Sequence, residues 1–151
     1  MNHTPTDIEL TSLIETADPV PFNVYDLTVG EFLPMILDNG NIVEYAVRHA
    51  DTTAEAASIT KGIIQALEVL FNTLKRWEAD TDDLQERAAK GVEFPTFAEC
   101  VLLDCVEWYG LHSTAEAEKL PVADWFLMKK RHAAQSKFQH NYETLIKKKT
   151  K

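Results

Sequence analysis

The sequence predicts an all-α fold, namely an irregular helical bundle with one long central helix and a long C-terminal helix. Two observations support this prediction. Apolar residues recur at alternating spacings of four and three residues between positions 63 and 88, which is the a/d spacing of a helix that packs along one seam. Three segments, which begin at Thr28, Thr96 and Ser113, also have the Ser/Thr-x-x-Glu form of a capping box, which starts helices.

The size and composition of the chain predict one domain. A chain of 151 residues can bury one hydrophobic core but is small for two, and its 45% of hydrophobic residues is too much for general disorder. We therefore expect residues 1–151 to form a single helical domain. The polar ends, residues 1–7 and 147–151, are expected to fray.

The first predicted helix is a short amphipathic one between residues 8 and 17. Asp18-Pro19-Val20-Pro21 ends it, because a residue before proline disfavours the α conformation. An extended linker through Tyr25 follows, and the next helix begins at the capping box of Thr28. Pro34 lies within that helix and lacks a backbone donor, so we expect a kink or a break into two short pieces.

The segment after Pro34 contains an Asn39-Gly40 pair, which is expected to end the helix. Residues 42–49 are then predicted to form a second short helix. A strand over residues 42–47 is the alternative, because Asn-Gly is also a hairpin signal.

The long central helix is predicted over residues 53–89, and Gly91 ends it. It is either straight or bent near residues 80–83, where weak helix formers and three carboxylates crowd together. The seam of this helix consists of Ile63, Leu67, Leu70, Leu74, Trp77, Thr81, Leu84 and Ala88.

Three helices are predicted after Gly91. The first, over residues 97–109, is apolar nearly all round and should be the most buried element. A short helix follows over residues 113–119, and the last runs from Pro121 or Val122 to about residue 146. Short connections predict that the central helix is antiparallel to parts of the first and last of these. The packing side of the last helix is predicted to contain Trp125, Phe126, Phe138, Tyr142 and Leu145.

Two segments of the chain are similar to each other. Residues 27–35 align with residues 120–128, with matching Leu, Val, acidic, aromatic and Met positions. The simplest interpretation is two ordinary helix starts, each with an acidic residue near the positive end of the helix dipole. Nine positions are too few to indicate a duplication.

The charge of the chain is acidic and polarised. The formal net charge of −9 disfavours nucleic acid and anionic lipid as partners. Eight of the 15 basic residues nevertheless lie among the last 23 residues. No apolar run approaches the roughly 20 residues that span a bilayer. Cys100 and Cys105 fall on different faces of an apolar helix, so we expect free thiols rather than a disulfide. Free thiols and the expected absence of a signal peptide indicate a reducing cytoplasm. We expect no membrane anchor.

The sequence lacks the common motifs of metal, nucleotide and nucleophile sites. No histidine has a glutamate three residues before it, the five glycines are never clustered, and no Cys-x-x-Cys or His-Glu-x-x-His occurs. We therefore predict no metal, no cofactor, no small-molecule substrate and no catalytic residue. The main enzyme alternative is a small helical hydrolase that uses His112 with Asp104 or Glu107.

The distal part of the predicted seam is the best candidate for binding a protein. It is longer than the following helices can cover, and extended exposed apolar surface is typical of interfaces. The basic end of the chain is a second candidate, for docking on an acidic partner or on nucleic acid. The partner is expected to be a structural subunit or a second copy of the chain. The predicted partner-binding residues are Leu74, Trp77, Leu84, Ala88, Lys147, Lys148 and Lys149.

One segment resembles a known protein family. It combines an aromatic-Tyr-Gly-Leu sequence at residues 108–111, a Ser-x-x-Glu-Ala-Glu sequence at residues 113–118 and a Leu-x-Val sequence at residues 120–122. Over residues 108–128 this pattern resembles small helical tail assembly chaperones of tailed-phage morphogenesis gene clusters. The resemblance implies a non-catalytic cytoplasmic helper that binds an aggregation-prone structural subunit, such as the tape-measure protein. A small virion component that stays in the particle is a close variant.

An acidic regulator is the alternative function. A helical surface rich in carboxylates can imitate the phosphate backbone and occupy a DNA-binding protein. Basic residues interrupt the acidic pattern of the predicted central helix, and this favours the assembly role over mimicry. These residues are Lys61, Lys75, Arg76, Arg87 and Lys90.

Overall fold

The computed structural model describes residues 7–78 and 83–149. Among these residues there are α-helices, one 3₁₀ turn at Val24–Asp26 and no strand, so the predicted all-α class is confirmed. The helices are α1 (Asp7–Thr16), α2 (Val29–Leu37), α3 (Asn39–His49), α4 (Thr53–Trp77), α5 (Asp83–Ala89), α6 (Phe97–Tyr109), α7 (Thr114–Ala117) and α8 (Val122–Lys149).

Side-chain caps start several of these helices, as the capping boxes predict. Thr28 caps α2 and Thr96 caps α6, and in both cases the glutamate three residues later accepts a hydrogen bond from the backbone N–H of the cap. Ser113 caps α7, but the carboxylate of Glu116 accepts from the backbone N–H of His112 at 3.0 Å. The third box is therefore shifted by one residue.

The predicted break at Pro34 lies instead at Asp38. Pro34 is inside α2, whereas Asp38 ends α2 and caps α3 by accepting from the backbone N–H of Gly40 at 2.9 Å. Asn39-Gly40 consequently belongs to the first turn of α3, because the cap stands just before it. The alternative of a strand over residues 42–47 is wrong, since these residues lie inside α3.

The central helix predicted over residues 53–89 is divided. α4 ends at Trp77 and α5 begins at Asp83, while most of the predicted bend, at residues 80–82, lies outside the described residues. α5 has no buried residue, and its seam residues Leu84 and Ala88 are exposed, whereas Thr81 lies outside the described residues. A helix in a protein is stabilised mainly where another element packs on it, and that support ends with α4. The covered seam residues are Ile63, Leu67, Leu70 and Leu74.

α4 is the centre of the fold, and its closest neighbouring helices are α3 and α1. The sequence predicts that the central helix packs antiparallel to parts of α6 and α8, and α1 and α3 are neighbours that this prediction did not include. α6 and α8 reach α4 through aromatic contacts. The ring centroids of Phe71 and Phe97 are 5.5 Å apart, and those of Trp77 and Phe126 are 5.1 Å apart. The core includes Val29, Phe32, Ile42, Ile63, Leu70, Val101, Cys105, Val122 and Trp125.

The connection after α1 is held closely against α4. The backbone N–H of Val20 donates to the carbonyl of Ser58 at 3.1 Å, and the carbonyl of Val20 lies over Gly62. The Lys61 ammonium donates to the carbonyl of Ala17 at 2.8 Å, just beyond the end of α1. Cations are favourable at this end of a helix. α1 also forms a second small core, which consists of Leu10, Ala50, Ala56 and Ala57.

α6 is less buried than its apolar sequence predicts. Val101 and Cys105 are its buried residues, whereas Phe97, Leu103 and Tyr109 remain exposed. The expectation that α6 is the most buried element is therefore wrong, because the helix is covered on one side only.

The two ends of the chain, residues 1–7 and 147–151, are predicted to fray, and the structure describes only some of these residues. Residues 1–6, 150 and 151 lie outside the description. Asp7 is the first residue of α1, and Lys147, Lys148 and Lys149 form the last turn of α8.

Candidate interaction surface

The start of α8 is anchored by the similar segment that precedes α2. Leu27-Thr28-Val29 lies antiparallel to Leu120-Pro121-Val122, with Thr28 opposite Pro121. The backbone N–H of Val29 donates to the carbonyl of Leu120 at 2.7 Å, and that of Val122 donates to the carbonyl of Leu27 at 2.8 Å. The two hydrogen bonds are equivalent to each other, because each joins the Val of one segment to the Leu of the other. A local twofold relation therefore connects the starts of α2 and α8.

The side chains follow the same twofold relation. Val29 and Val122 occupy equivalent positions and are both fully buried. Phe32 and Trp125 are also equivalent, and their ring centroids are 6.3 Å apart. The two segments are helix starts, as the sequence indicates, and in addition each packs against the other.

In the part of the chain that the structure describes, the buried residues of α8 and its packing on the other helices lie in its first half. Trp125 packs edge-on against Phe97 at the start of α6, with centroids 6.0 Å apart. His132 stacks on Trp108 near the end of α6, with centroids 4.5 Å apart. Ala133 is half-buried, and every residue from 134 to 149 is exposed. Residues 134–149 are termed the arm, and the described residues before them the body. At 1.5 Å per residue, the arm is about 24 Å long.

An apolar stripe runs along the arm. Phe138, Tyr142 and Leu145 are spaced four and three residues apart and so share one helix face. Their exposed fractions are 69%, 53% and 65%. The rings of Phe138 and Tyr142 stack 6.3 Å apart, which makes the stripe continuous. The prediction that these residues lie on the packing side of the last helix is wrong within one chain, because the body covers α8 only as far as Ala133.

The arm and the body have opposite charges. Residues 125–151 contain eight basic residues and one acidic residue, Glu143, whereas residues 1–124 contain seven basic and 23 acidic residues. Three lysines form the last turn of α8, where the helix dipole favours cations. The arm is therefore a basic amphipathic helix that projects from an acidic body.

A second exposed apolar surface lies on the body. Phe71 of α4 and Phe97 of α6 contact each other and are 36% and 39% exposed. Ile64 lies seven residues before Phe71, which places it on the same side of α4, and is 37% exposed. Phe94, three residues before Phe97, is 65% exposed. These four exposed residues, two on α4 and two at or just before the start of α6, are termed the body face.

The structure separates the residues that the sequence predicts to bind a partner. Leu74 is 8% exposed and belongs to the core, so it is not available at the surface. Trp77 is half-buried against the body. Leu84 is 66% exposed and Ala88 is also exposed, both on α5. Lys147, Lys148 and Lys149 lie on the arm, some distance along the chain from these positions.

Neither the stripe on the arm nor the body face follows from sequence reasoning. A signal for the arm is nevertheless present, because residues 132–137 contain no large apolar residue. This gap marks the point at which the covered half of α8 ends. The body face has no comparable signal, since Ile64, Phe71 and Phe97 have the spacing of ordinary core positions.

Two residues of the enzyme alternative, Asp104 and His112, form hydrogen bonds that support neighbouring helices. Asp104 accepts a hydrogen bond from the indole N–H of Trp125 at 3.5 Å. Burial raises the pKa of Asp104, while Lys129 and this hydrogen bond oppose the rise and Glu107 adds to it. His112 lies in the turn before α7 and uses its backbone N–H in the cap of that helix. Asp104 thus contributes to the anchoring of α8.

The two cysteines are free thiols, as the sequence predicts. Burial raises the pKa of Cys105 to about 11, and the nearby carboxylates of Asp104 and Asp124 add to the effect. The thiol is therefore protonated at neutral pH, which makes it a poor nucleophile. Within residues 7–78 and 83–149, no group of three or more His, Cys, Asp or Glu side chains is arranged to hold a metal ion. None of the helices in that part of the chain is both long and apolar enough to cross a membrane.

Comparisons with known proteins found no matching family model, no matching curated protein and no matching solved structure.

Proposed function

We propose that this chain is a non-catalytic protein-binding protein and that its partner contacts the arm. The observation that carries the proposal is the exposed stripe of Phe138, Tyr142 and Leu145 on a helix that projects from the body. An amphipathic helix that inserts anchors at positions i, i+4 and i+7 into an apolar groove is a common mode of protein recognition.

The energetics of the arm support a bound partner. Isolated helices shorter than about 12–15 residues are marginal in water, and tertiary packing supplies most helical stability in proteins. The arm is only slightly longer than this, and each of its residues is exposed among the described residues. Full burial of a Phe or Leu side chain contributes roughly 1.5–3 kcal/mol. A partner that covers the stripe would therefore stabilise the arm as a helix and remove its apolar side chains from water.

The biological role that we propose is phage assembly, as a tail assembly chaperone or a small virion morphogenesis component in the host cytoplasm. The resemblance over residues 108–128 supports it, and these residues form the end of α6, α7 and the anchored start of α8. The acidic body supports it as well, because net charge keeps a complex with an aggregation-prone subunit soluble.

Co-expression with the structural subunit encoded beside it, first of all a tape-measure-type subunit, tests the proposal. The measurements are the soluble fraction of that subunit and its co-purification with the chain. A double variant, Phe138→Gln with Leu145→Gln, removes the stripe while keeping helix propensity high. Val69→Gln is a matched control, because Val69 is 63% exposed on α4, in the body. We expect the control to retain the subunit in solution and the double variant to lose it.

Two results would contradict the proposal. Retention of the subunit by a folded double variant would show that the arm is not the binding segment. Loss of the subunit with Leu84→Gln, but not with the arm variant, would assign binding to α5 instead. Far-UV circular dichroism of each purified variant checks that the body has folded.

A further inference from the structure

We infer that the arm docks on the body face of a second copy of this chain, an inference that rests on the proposed role of the arm in protein binding. Both halves of a complementary interface are present on one molecule. The arm has an apolar stripe among cations, and the body has an apolar face within an acidic surface. Most soluble oligomers consist of identical chains, so a self-complementary pair of surfaces is a natural interface.

The arm cannot cover the body face of its own chain. Phe97 lies at the start of α6, whereas α8 leaves the body beside Trp108, near the end of that helix. The two points are separated by most of the length of α6, about 16 Å at 1.5 Å per residue. α8 is continuous from Val122 to Lys149, so it would have to reverse its direction to reach Phe97. The occupant of the body face is therefore another molecule.

Charge favours arm-to-body contact over contact between two arms. Two paired arms would bring their cations together, because the C-terminal half of α8 contains Lys137 and three terminal lysines against the single acid Glu143. Like charges in contact destabilise an interface. The body, by contrast, has a large excess of acidic residues in its sequence.

Charged residues of both signs lie near the body face. Glu68 lies three residues before Phe71 on the same side of α4, and Glu93 precedes Phe94 in the chain. Lys61 and Lys75 share this side of α4 by the same spacing, and the Lys61 ammonium already donates to the carbonyl of Ala17. Glu68 and Glu93 are the carboxylates that the lysines of an incoming arm would meet beside the apolar contact.

The two surfaces also match in length. Phe138 and Leu145 are seven residues apart on the arm, and Ile64 and Phe71 are seven residues apart on α4. Each pair therefore spans about 10 Å. A stripe laid along α4 would place its two ends, Phe138 and Leu145, opposite Ile64 and Phe71.

Sedimentation equilibrium of the full chain over a range of concentrations measures the self-association. The arm variant is Phe138→Gln with Leu145→Gln, the face variant is Ile64→Gln with Phe94→Gln, and Val69→Gln is the control. The face variant leaves the ring contact of Phe71 with Phe97 in place, which protects folding. We expect the dissociation constant to rise at least about tenfold in each double variant and to stay unchanged in the control. Raising NaCl from about 50 to about 500 mM should weaken association of the wild type by about tenfold.

A mixture of the two double variants provides the decisive measurement. The arm variant has an intact body face and the face variant has an intact arm, so one complete contact can form between them. We expect the mixture to form a complex of two chains at concentrations where neither variant associates alone. A wild-type chain that is monomeric at every concentration, or a mixture that does not associate, would overturn the inference. If the face variant alone self-associates as strongly as the wild type, the inference is also overturned, because that result indicates paired arms.

Self-association and co-expression with the structural subunit, each measured for the wild type and the arm variant, separate this inference from the proposed function. If the wild type does not self-associate but Phe138 and Leu145 are still needed to keep the subunit soluble, the inference fails and the proposed function stands. If the arm variant changes neither self-association nor the subunit, both fail.

Discussion

Gly62 is the residue at which the connection between α1 and α2 crosses α4. The carbonyl of Val20 occupies the space that a Cβ atom at position 62 would need. Glycine in the interior of a helix costs about 1 kcal/mol relative to alanine. The cost at this position is explained by the close approach, which also brings the N–H of Val20 to the carbonyl of Ser58 at 3.1 Å.

Gly62→Ala should lower the free energy of unfolding by about 2 kcal/mol, because the added methyl group must displace the crossing backbone. Urea denaturation followed by circular dichroism measures the change. Gln65→Ala, on the exposed side of the same helix, is the control and should alter stability by less than about 0.5 kcal/mol. Helix propensity alone predicts that Gly62→Ala is stabilising, so a gain in stability would show that the connection does not cross here.

At the scale of elements, the paired segments before α2 and α8 join helices that are far apart in the chain. Thr28 and Pro121 face each other, and hydrogen bonds on either side join the two backbone segments. Proline is tolerated at position 121 because the donors of this pairing are Val29 and Val122. The pairing sets the position of α8, and through α8 it sets the point from which the arm projects.

Val29→Ala and Val122→Ala should each lower the free energy of unfolding by about 2 kcal/mol. The two side chains are equivalent under the local twofold relation and are both fully buried, so similar cavities form. The measurement is the urea midpoint of each variant at constant m-value. Val69→Ala, at a position that is 63% exposed, is the control and should have little effect. A large loss for Val29→Ala with almost none for Val122→Ala would argue against the anchoring of α8 by this pairing.

At the scale of the whole molecule, stability and recognition reside in different parts. The buried residues all belong to the body, whereas the arm contains only exposed residues. The acidic and basic charges are divided between body and arm in the same way. Because the arm contributes no residue to the core, a partner can stabilise its conformation and bury its apolar side chains without disturbing the core.

Removal of residues 134–151 should change the free energy of unfolding of the body by less than about 0.5 kcal/mol, because the body makes no use of the arm in packing. Urea denaturation at a concentration where the chain is monomeric measures this. Removal of residues 125–151 is the contrasting truncation and should abolish cooperative unfolding, since it deletes Trp125 from between Phe32 and Phe97. Loss of a folded body in the shorter deletion would mean that the arm packs on it.

Helix starts were predictable because capping is local. Thr28 and Thr96 form their hydrogen bonds with residues three positions away, so the sequence pattern contains both partners. The predicted break near Pro34 was wrong by a few residues, because a local cap sets this boundary as well. Asp38 is a strong cap, and capping by Asp38 sets the boundary more firmly than the missing donor of the proline does.

The helical class, the places where several helices begin and the opposite charges of the two parts of the chain can all be predicted from the sequence. These properties depend on composition or on residues within one or two turns of each other. Which apolar faces are covered depends instead on how the helices pack, because burial requires contact between segments that are distant in the chain. α1 and α3 cover α4, whereas α8 outruns the body at Ala133, and the exposed stripe on the arm is the consequence.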